Sequence, residues 1–437
     1  GFDNVTAVTF NNNAAVFHVE SNTKLTAWVP NDNASGLIKV WRQFQSATSG
    51  SRFEQNPLEG HLISIGKVNQ RGQLDYPEEK QLCMGLFSGS DHSMLLQPYD
   101  TVTSWGSLPT GDDLYDDMLS LAGGSDFSLA LIEDGTVRGW GDNGSGQITI
   151  PPNLPKGIQI AAGHYHGLMI DAKGLVYGWG RDDEGQVRKK TDHSNPRITG
   201  ANDMLEHIIS IKAGDTFSMA LRSDGKLIGW GSNAFGQLGS DGPKIKVEPR
   251  IIRSDLMTIA AGSHHVLGIE KGTQKVVAWG DNEHGQCNVP TEALSDIIAI
   301  AAGESFSLAL RTDGKVIGWG KIFSEQTFEF ETIDTLFPDV EVLNIVSGKQ
   351  HFAFLAPEVN KPVLIKDLED NHVIIEGDSF ELAIQATGSS PMSFQWYKDN
   401  KLITPTDKLK IFIASGKGTD TGEYKVVVTN PYGSTSS

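Results

Sequence analysis

Six Trp-Gly pairs, at Trp105, Trp140, Trp179, Trp230, Trp279 and Trp319, punctuate the chain at separations of 35, 39, 51, 49 and 40 residues. Around five of them the sequence nearly repeats itself. LAGGSDFSLALIEDGTVRGWGDNGSGQ starts at Leu121, IAAGHYHGLMIDAKGLVYGWGRDDEGQ at Ile160 and IKAGDTFSMALRSDGKLIGWGSNAFGQLG at Ile211, with further copies from Ile259 and Ile300. A recurrence near this length means one supersecondary unit used many times. In each unit an apolar run reaches an Ala-Gly pair, a short turn follows, and an alternating run such as Phe217-Ser218-Met219-Ala220-Leu221 comes next. Asp134-Gly135, Lys173-Gly174, Asp224-Gly225 and Asp313-Gly314 then supply hairpin turns. A second alternating run ends in Trp-Gly, and a polar loop closing on Gly-Gln leads onward. Period-two alternation excludes a helical solenoid, and four short antiparallel strands per unit make a propeller blade.

In this order, Ala-Gly-x-x-His/Phe-Ser-x-Ala-Leu, Asp-Gly-x-Val-x-x-Trp-Gly and Asn-x-x-Gly-Gln resemble the regulator-of-chromosome-condensation repeat, sharply so from about Leu82 to Phe354. The string GDNEHGQCNVP, within Gly280 to Pro290, is similar to bacterial members that include a propeller-type beta-lactamase inhibitor. The family norm implies seven blades. The first eighty or so residues are degenerate: ISIGKVNQRGQLDYP, from Ile63, matches the second half of a unit with Ile65-Gly66 in place of Trp-Gly. LTAWVPND, around Trp28, reads as a further candidate and would raise the count to eight. VEVLNIVSGKQHFAFL, from Val340, is a first half only, which points to ring closure by N-terminal strands. The expectation is an all-β protein whose residues 1–356 form a β-propeller of seven blades, with eight as the alternative.

Residues 357–437 change pattern. FELAIQATG, SFQWYKDNKLI and DTGEYKVVVTNPYG run in the order of an immunoglobulin-like β-sandwich, which they resemble. Trp396 takes the buried core position and Tyr424 the tyrosine corner, while Ile384 and Val426 stand where antibody domains carry cysteines. The sheets are then joined by apolar packing, as in bacterial surface modules. The last strand is expected to be missing, since the chain stops at Ser437 where it should begin, and the start at Gly1 points to a removed upstream segment.

Composition narrows the function. Lys+Arg 36 against Asp+Glu 54 gives a net charge of −18, which disfavours nucleic acid because phosphates require surplus positive charge. No run approaches the ~18 apolar residues of a membrane helix, so direct membrane insertion is not expected. Two cysteines, Cys83 and Cys287, lie several units apart and form no disulfide scaffold. His92, His166, His265 and His351 share a slot with Phe127, Phe217 and Phe306, which marks a packing position whose histidine should bond a neighbouring backbone carbonyl. No zinc set is complete around His264 and His284; calcium among the acidic loops is the one cofactor alternative. No Ser/His/Asp order, phosphate loop or distinctive carboxylate pair argues for an enzyme. The repeated tryptophans fit inter-blade packing better than a carbohydrate platform.

In a four-stranded blade the first and third connections share one end. Their tips should gather on one face around the central channel: Asp91, Asp126, His164, Tyr165, Asp215, His264 and Glu304 from the first, and Asp182, Asp183, Phe235 and His284 from the third. They vary between units while the framework repeats, and Tyr165, Phe235 and His264 are the expected anchors. The expected function is non-catalytic binding of a protein or surface glycan through this acidic face, in a secreted or surface-anchored bacterial protein. The rivals are a structural subunit of an extracellular array, with self-association, an inhibitor of an extracellular enzyme, and nucleotide exchange on a small GTPase. Charge reversal at Asp126, Asp182 and Asp215 should then weaken a cationic partner and spare stability.

Overall fold

The computed structural model describes the chain apart from residues 1, 3–4, 11–12, 22, 29–35, 43–44, 54–57, 67–68, 78–80, 99–100, 108–116, 188–195, 201–202, 240–246, 325–328, 334–340, 358–361, 367, 369–374, 388–391, 404–409, 414–415, 431–432 and 437. It divides into two compact units, Gly1–Pro357 and Glu358–Ser437. Both are β-structure, and no helix among the described residues is long and apolar enough to cross a membrane.

In the larger unit the repeated segments form separate antiparallel sheets, each strand pairing with the next in sequence. Ile208–Ala213, Phe217–Arg222, Leu227–Gly231 and Val247–Arg253 make a complete four-stranded example. The alternation read from the sequence is the register: Ser218 pairs with Trp230 and Phe217 with Gly231. Gly231 has φ 102°, a left-handed conformation open to glycine, so the Trp-Gly pair ends the third strand on a sharp turn. The half unit near Val340 is completed from the other end of the chain. His351–Pro357 pairs antiparallel with Leu58–Gly66, and Gly66, opposite His351, takes the place of a Trp-Gly glycine.

The first strands Gly85–Ser88, Met118–Gly123, Gly157–Ala162, Ile208–Ala213, Leu256–Ala261, Ile297–Ala302 and Asn344–Ser347 all contribute to the wall of one central channel, with a cavity of about 250 Å³. Ala14 and Val16 share that wall. Of the segment around Trp28, a candidate unit by sequence, Val29 to Asp32 lie outside the described residues. Among the described residues its strand Lys24–Ala27 pairs with Phe17–Ser21 alone, and the Trp28 backbone N–H donates to the Val16 carbonyl at 2.9 Å. Ala7–Phe10 is buried along its whole length; Val5, Val8, Phe10 and Ala15–Phe17 pack with Met257, Ala260, Ile297 and Ala302. An apolar stretch that must fit several strands at one end of the channel has no reason to follow the repeat.

Blades are clamped to each other by the repeated polar residues. Trp230 donates its indole N–H to the Gln186 carbonyl of the preceding unit at 2.9 Å, and Trp179, Trp279 and Trp319 do likewise to Gln147, Gln237 and Gln286. Ser218 and Ser307 donate their hydroxyls to the same carbonyls, of Gln186 and Gln286, at 2.8 Å. The slot histidines therefore differ from expectation. His166 and His265 reach the hydroxyls of Ser218 and Ser307 at 2.9 Å, not a backbone carbonyl. Because each serine proton is committed to a carbonyl, the imidazole Nε2 must carry the proton and donate. His92 and His351 meet the hydroxyls of Ser128 and Ser93, also at 2.9 Å. Burial pulls His166 and His351 down to about 3 and His92 and His265 to about 4, so all four are neutral.

The smaller unit buries Trp396 completely, with Leu382, Ile384, Phe394, Val426 and Val428 around it. Ile384 and Val426, at the cysteine positions, join this core, and the Tyr424 hydroxyl donates to the Asp420 carbonyl at 2.9 Å, as a tyrosine corner does. The last strand is present. Gly433–Ser436 pairs with Tyr424–Asn430, which corrects the expectation that it is missing. A polar GSTS tail lacks the apolar alternation that announces a strand; backbone pairing to a buried neighbour suffices.

Candidate functional site

The first connections of the seven sheets whose first strands are named above meet around the channel mouth. Backbone bonds link them in sequence: Lys349 N–H to Ser90 O at 3.0 Å, Ser90 N–H to Gly124 O at 2.8 Å and Ser125 N–H to His164 O at 3.2 Å. Asp215 N–H to Ser263 O, Ser263 N–H to Gly303 O and Glu304 N–H to Lys349 O continue the circuit at 3.2, 3.1 and 3.1 Å. The repeated glycine makes this approach possible. A Cβ on Gly262 would lie 2.4 Å from the Gly303 carbonyl and 2.5 Å from the His265 ring.

Between the loops of His164 and Asp215 the link is made by side chains. Lys349 Nζ lies 2.9 Å from Asp215 Oδ2 and 3.1 Å from His164 Nδ1, and His164 Nδ1 lies 3.3 Å from the same carboxylate oxygen. Burial would raise the Asp215 carboxyl, but the His164 hydrogen bond and the Lys349 charge outweigh it and bring it to about 2. Lys349 thus reaches over the mouth from the closing sheet and latches it.

Other acids of this face are also engaged. Arg71, on the third connection of the degenerate first unit, contacts Asp126 at 2.7 Å and Asp91 at 3.4 Å, tying three units together. Arg181 pairs with Asp183 at 2.5 Å and holds its carboxyl below the usual range. Glu304 accepts a hydrogen bond from Gln350. Asp182 belongs to the framework rather than to the variable tips. Its Oδ1 accepts the Val187 N–H at 2.9 Å, as the side chains of Asn143, Asn233 and Asn282 accept those of Ile148, Leu238 and Cys287. Reversing Asp215 or Asp182 would therefore cost stability, contrary to the expectation drawn from exposed loops. Sequence reasoning missed Arg71 as the counter-ion. The Asn-x-x-Gly-Gln pattern at Asn69-Gln70-Arg71-Gly72-Gln73 was the available signal, and Asn69 accepts the Leu74 N–H as its counterparts do.

Among the exposed side chains of this face, one is large and apolar. Phe235 is 48% exposed, and its ring lies 4.5 Å from that of His264 on the neighbouring unit. Tyr165 stacks on His164 at 4.1 Å, with the Arg181 guanidinium 5.4 Å from its ring centre. The His284 N–H donates to Gln286 Oε1 at 2.9 Å, so its backbone is fixed by the loop. Among the described residues, no group of three or more His, Cys, Asp or Glu is placed to hold a metal ion. Burial pushes both cysteine thiols up to about 12, which suits neither to nucleophilic work.

Known proteins place these features. Residues 119–147, 158–186, 208–237 and 297–321 match the Regulator of chromosome condensation (RCC1) repeat, as do 173–221 and 224–269 in a second description of that repeat, and 362–437 match the Immunoglobulin I-set domain. The chain carries both. It is 31% identical over 134 residues to the mouse E3 ubiquitin-protein ligase HERC2, covering 26% of this chain and 3% of the relative. It is 36% identical over 130 residues to the mitochondrial RCC1 domain-containing protein RUG3 of Arabidopsis thaliana, covering 26% and 29%. The match thus spans under a third of either relative. Prp20p of Saccharomyces cerevisiae, solved in a study of its binding to Gsp1p and histones, shares the fold at TM-score 0.54 and 20% identity, over 70% of this chain and 92% of that one. Human WBSCR16 does so at TM-score 0.51 and 20% identity, over 64% and 88%. These likenesses show an RCC1-type propeller, an architecture found in regulators and binders.

Proposed function

We propose that the propeller, read as seven blades, is a non-catalytic recognition module that engages another protein on its loop face, with Phe235 and His264 as the central anchor and Tyr165 beside them. The observation that carries this reading is Phe235: a large apolar side chain is held out to solvent on a loop whose Asn233 and Gln237 side chains hydrogen-bond its own backbone. A rigid ring gives much contact area at small entropic cost, and such residues dominate binding energy. The ion pairs at Asp91, Asp126, Asp183 and Asp215 argue that charge sets orientation here while the aromatic sector supplies affinity. The RCC1-type relatives support protein rather than glycan as the partner. We read the immunoglobulin domain as a spacer, in a secreted or surface-anchored bacterial protein.

The test is capture by the full chain from the surface and secreted fractions of the source organism, comparing wild type with Phe235→Ala and with Tyr165→Ala. A partner held by wild type and weakened about tenfold or more by Phe235→Ala, with the melting temperature unmoved, is expected. Equal capture by the variants would remove this face from the interface. Self-association of the purified chain without other capture would favour the array reading.

A further inference from the structure

Where the seven sheets meet, their junctions are of two kinds. His92, His166, His265 and His351 are each followed, on the next sheet around the channel, by a serine: Ser128, Ser218, Ser307 and Ser93, all at 2.9 Å. Phe127, Phe217 and Phe306 are followed at that step by Gly167, Val266 and Phe352. Polar and apolar junctions thus alternate around the ring. Seven is odd, so alternation cannot close, and two histidine junctions fall side by side: His351 to Ser93 and His92 to Ser128. Between them lies the sheet of Gly85–Ser88, His92–Leu96 and Val102–Gly106. Among the described residues it alone of the seven has a buried histidine at both borders.

The same sheet lacks a clamp that four others have. The indole N–H of Trp105 is buried without an acceptor among the described residues, whereas Trp179, Trp230, Trp279 and Trp319 each reach a glutamine carbonyl of the preceding unit. The corresponding carbonyl, of Gln73, takes the Ser64 hydroxyl of its own unit at 3.0 Å. His92 and His351 are fully buried, and at neither does Nδ1 meet a partner among the described residues. An imidazolium carries N–H groups on both nitrogens, so charging either ring creates a buried donor with nothing to accept it. The charged groups around the pair are few. His92 opposes protonation of His351, and Asp126 favours that of His92. Arg71 engages Asp126 and Asp91, while Asp215 engages Lys349. Burial wins, and the two rings fall to about 4 and about 3 from an ordinary value near 6.5. The stability tied to them is whole above about pH 6.5 and is lost as pH falls toward those values.

We propose that the sheet of residues 85–106 is an acid-released segment of the ring: when His92 and His351 take up protons, it parts from both neighbours while the other sheets stay paired. Its release breaks the rim circuit at Ser90, whose carbonyl accepts the Lys349 N–H and whose N–H donates to the Gly124 carbonyl. It also opens the ring beside Leu58–Gly66, the strand that closes it. Releasing this sheet uncovers two of the buried histidines, whereas releasing any other of the seven uncovers one. The device stands or falls independently of the partner reading.

The experiment is hydrogen exchange of the full chain, read by mass spectrometry between pH 7 and about pH 5 and divided at each pH by the rate of the unstructured peptide. Opening of residues 85–106 should take up about two protons and that of residues 208–231 about one. By about pH 5 the first should open roughly a thousandfold more often than at neutral pH, and the second roughly thirtyfold. The paired variant His351→Phe with Ser93→Val copies the junction of Phe217 and Val266 and should bring the first slope to about one proton. Should it not fold, His92→Phe with Ser128→Val makes the same change at the other border. Equal slopes for the two segments in the wild type, or a two-proton slope that survives the paired variant, would overturn the proposal.

Discussion

The units between Leu121 and Gly320 and the first eighty residues build parts of one ring, yet only the former announce themselves. In the strict units the same junction recurs: an indole and a serine hydroxyl both point at the carbonyl of the preceding unit's glutamine. A junction met repeatedly selects the same residues repeatedly. The N-terminal strands meet surroundings that occur once. Leu58–Gly66 serves one half unit, and Val5 to Phe17 fits one end of one channel. Repetition in sequence thus reports repetition of environment, and its loss need not mean loss of order.

The largest effect that would sharpen this contrast is expected at Trp230, fully buried with its indole bonded to Gln186. Trp230→Ala should cost about 3–5 kcal/mol, read as a shifted denaturation midpoint. Val8→Ala, in the non-repeating segment but 1% exposed, should cost about 2 kcal/mol. A negligible effect there would mean that the N-terminal strands merely rest on the ring. The smallest effect at neutral pH belongs to the slot histidine. His265→Phe copies the residue of three other units and should leave stability near wild type at pH 7.

At lower pH the same variant should diverge. His265 falls to about 4 in the fold against an ordinary value near 6.5. Below that ordinary value the unfolded chain takes up a proton that the fold refuses. The stability tied to neutral His265 is therefore whole above about pH 6.5 and is lost as pH falls toward 4. His92, His166 and His351 add losses of the same sign over similar ranges. Parallel melting curves for wild type and His265→Phe between pH 7 and 4.5 would show that the buried imidazole is not coupled to folding.

Much of the fold was legible because strand alternation, hairpin turns and the Trp-Gly ends are local signals. Closure was legible from the half unit at Val340 together with Ile65-Gly66. The role of Trp28 was not: it joins a cluster that also holds Met257, Ala260 and Ile297, more than two hundred positions away, which no local pattern encodes. Within the loop face, exposure at Phe235 followed from its place at a loop tip. The neutralisation of Asp91, Asp126 and Asp215 did not, because Arg71 and Lys349 belong to the closing unit, whose two halves come from opposite ends of the propeller sequence. Asp182 was misjudged for a simpler reason: an aspartate in an asparagine's place looks variable, while its oxygen does the same work.

The pairing of His351–Pro357 with Leu58–Gly66 also sets an order of events. Each strict unit can form its hairpins as soon as it leaves the ribosome, whereas Leu58–Gly66 must wait for a partner made after nearly the whole ring. During that interval its edge is open to another strand, and a second copy of the chain carries a suitable one. Dense synthesis therefore favours exchange of this closing strand between copies, and slow dilution of such a pair would return two closed rings.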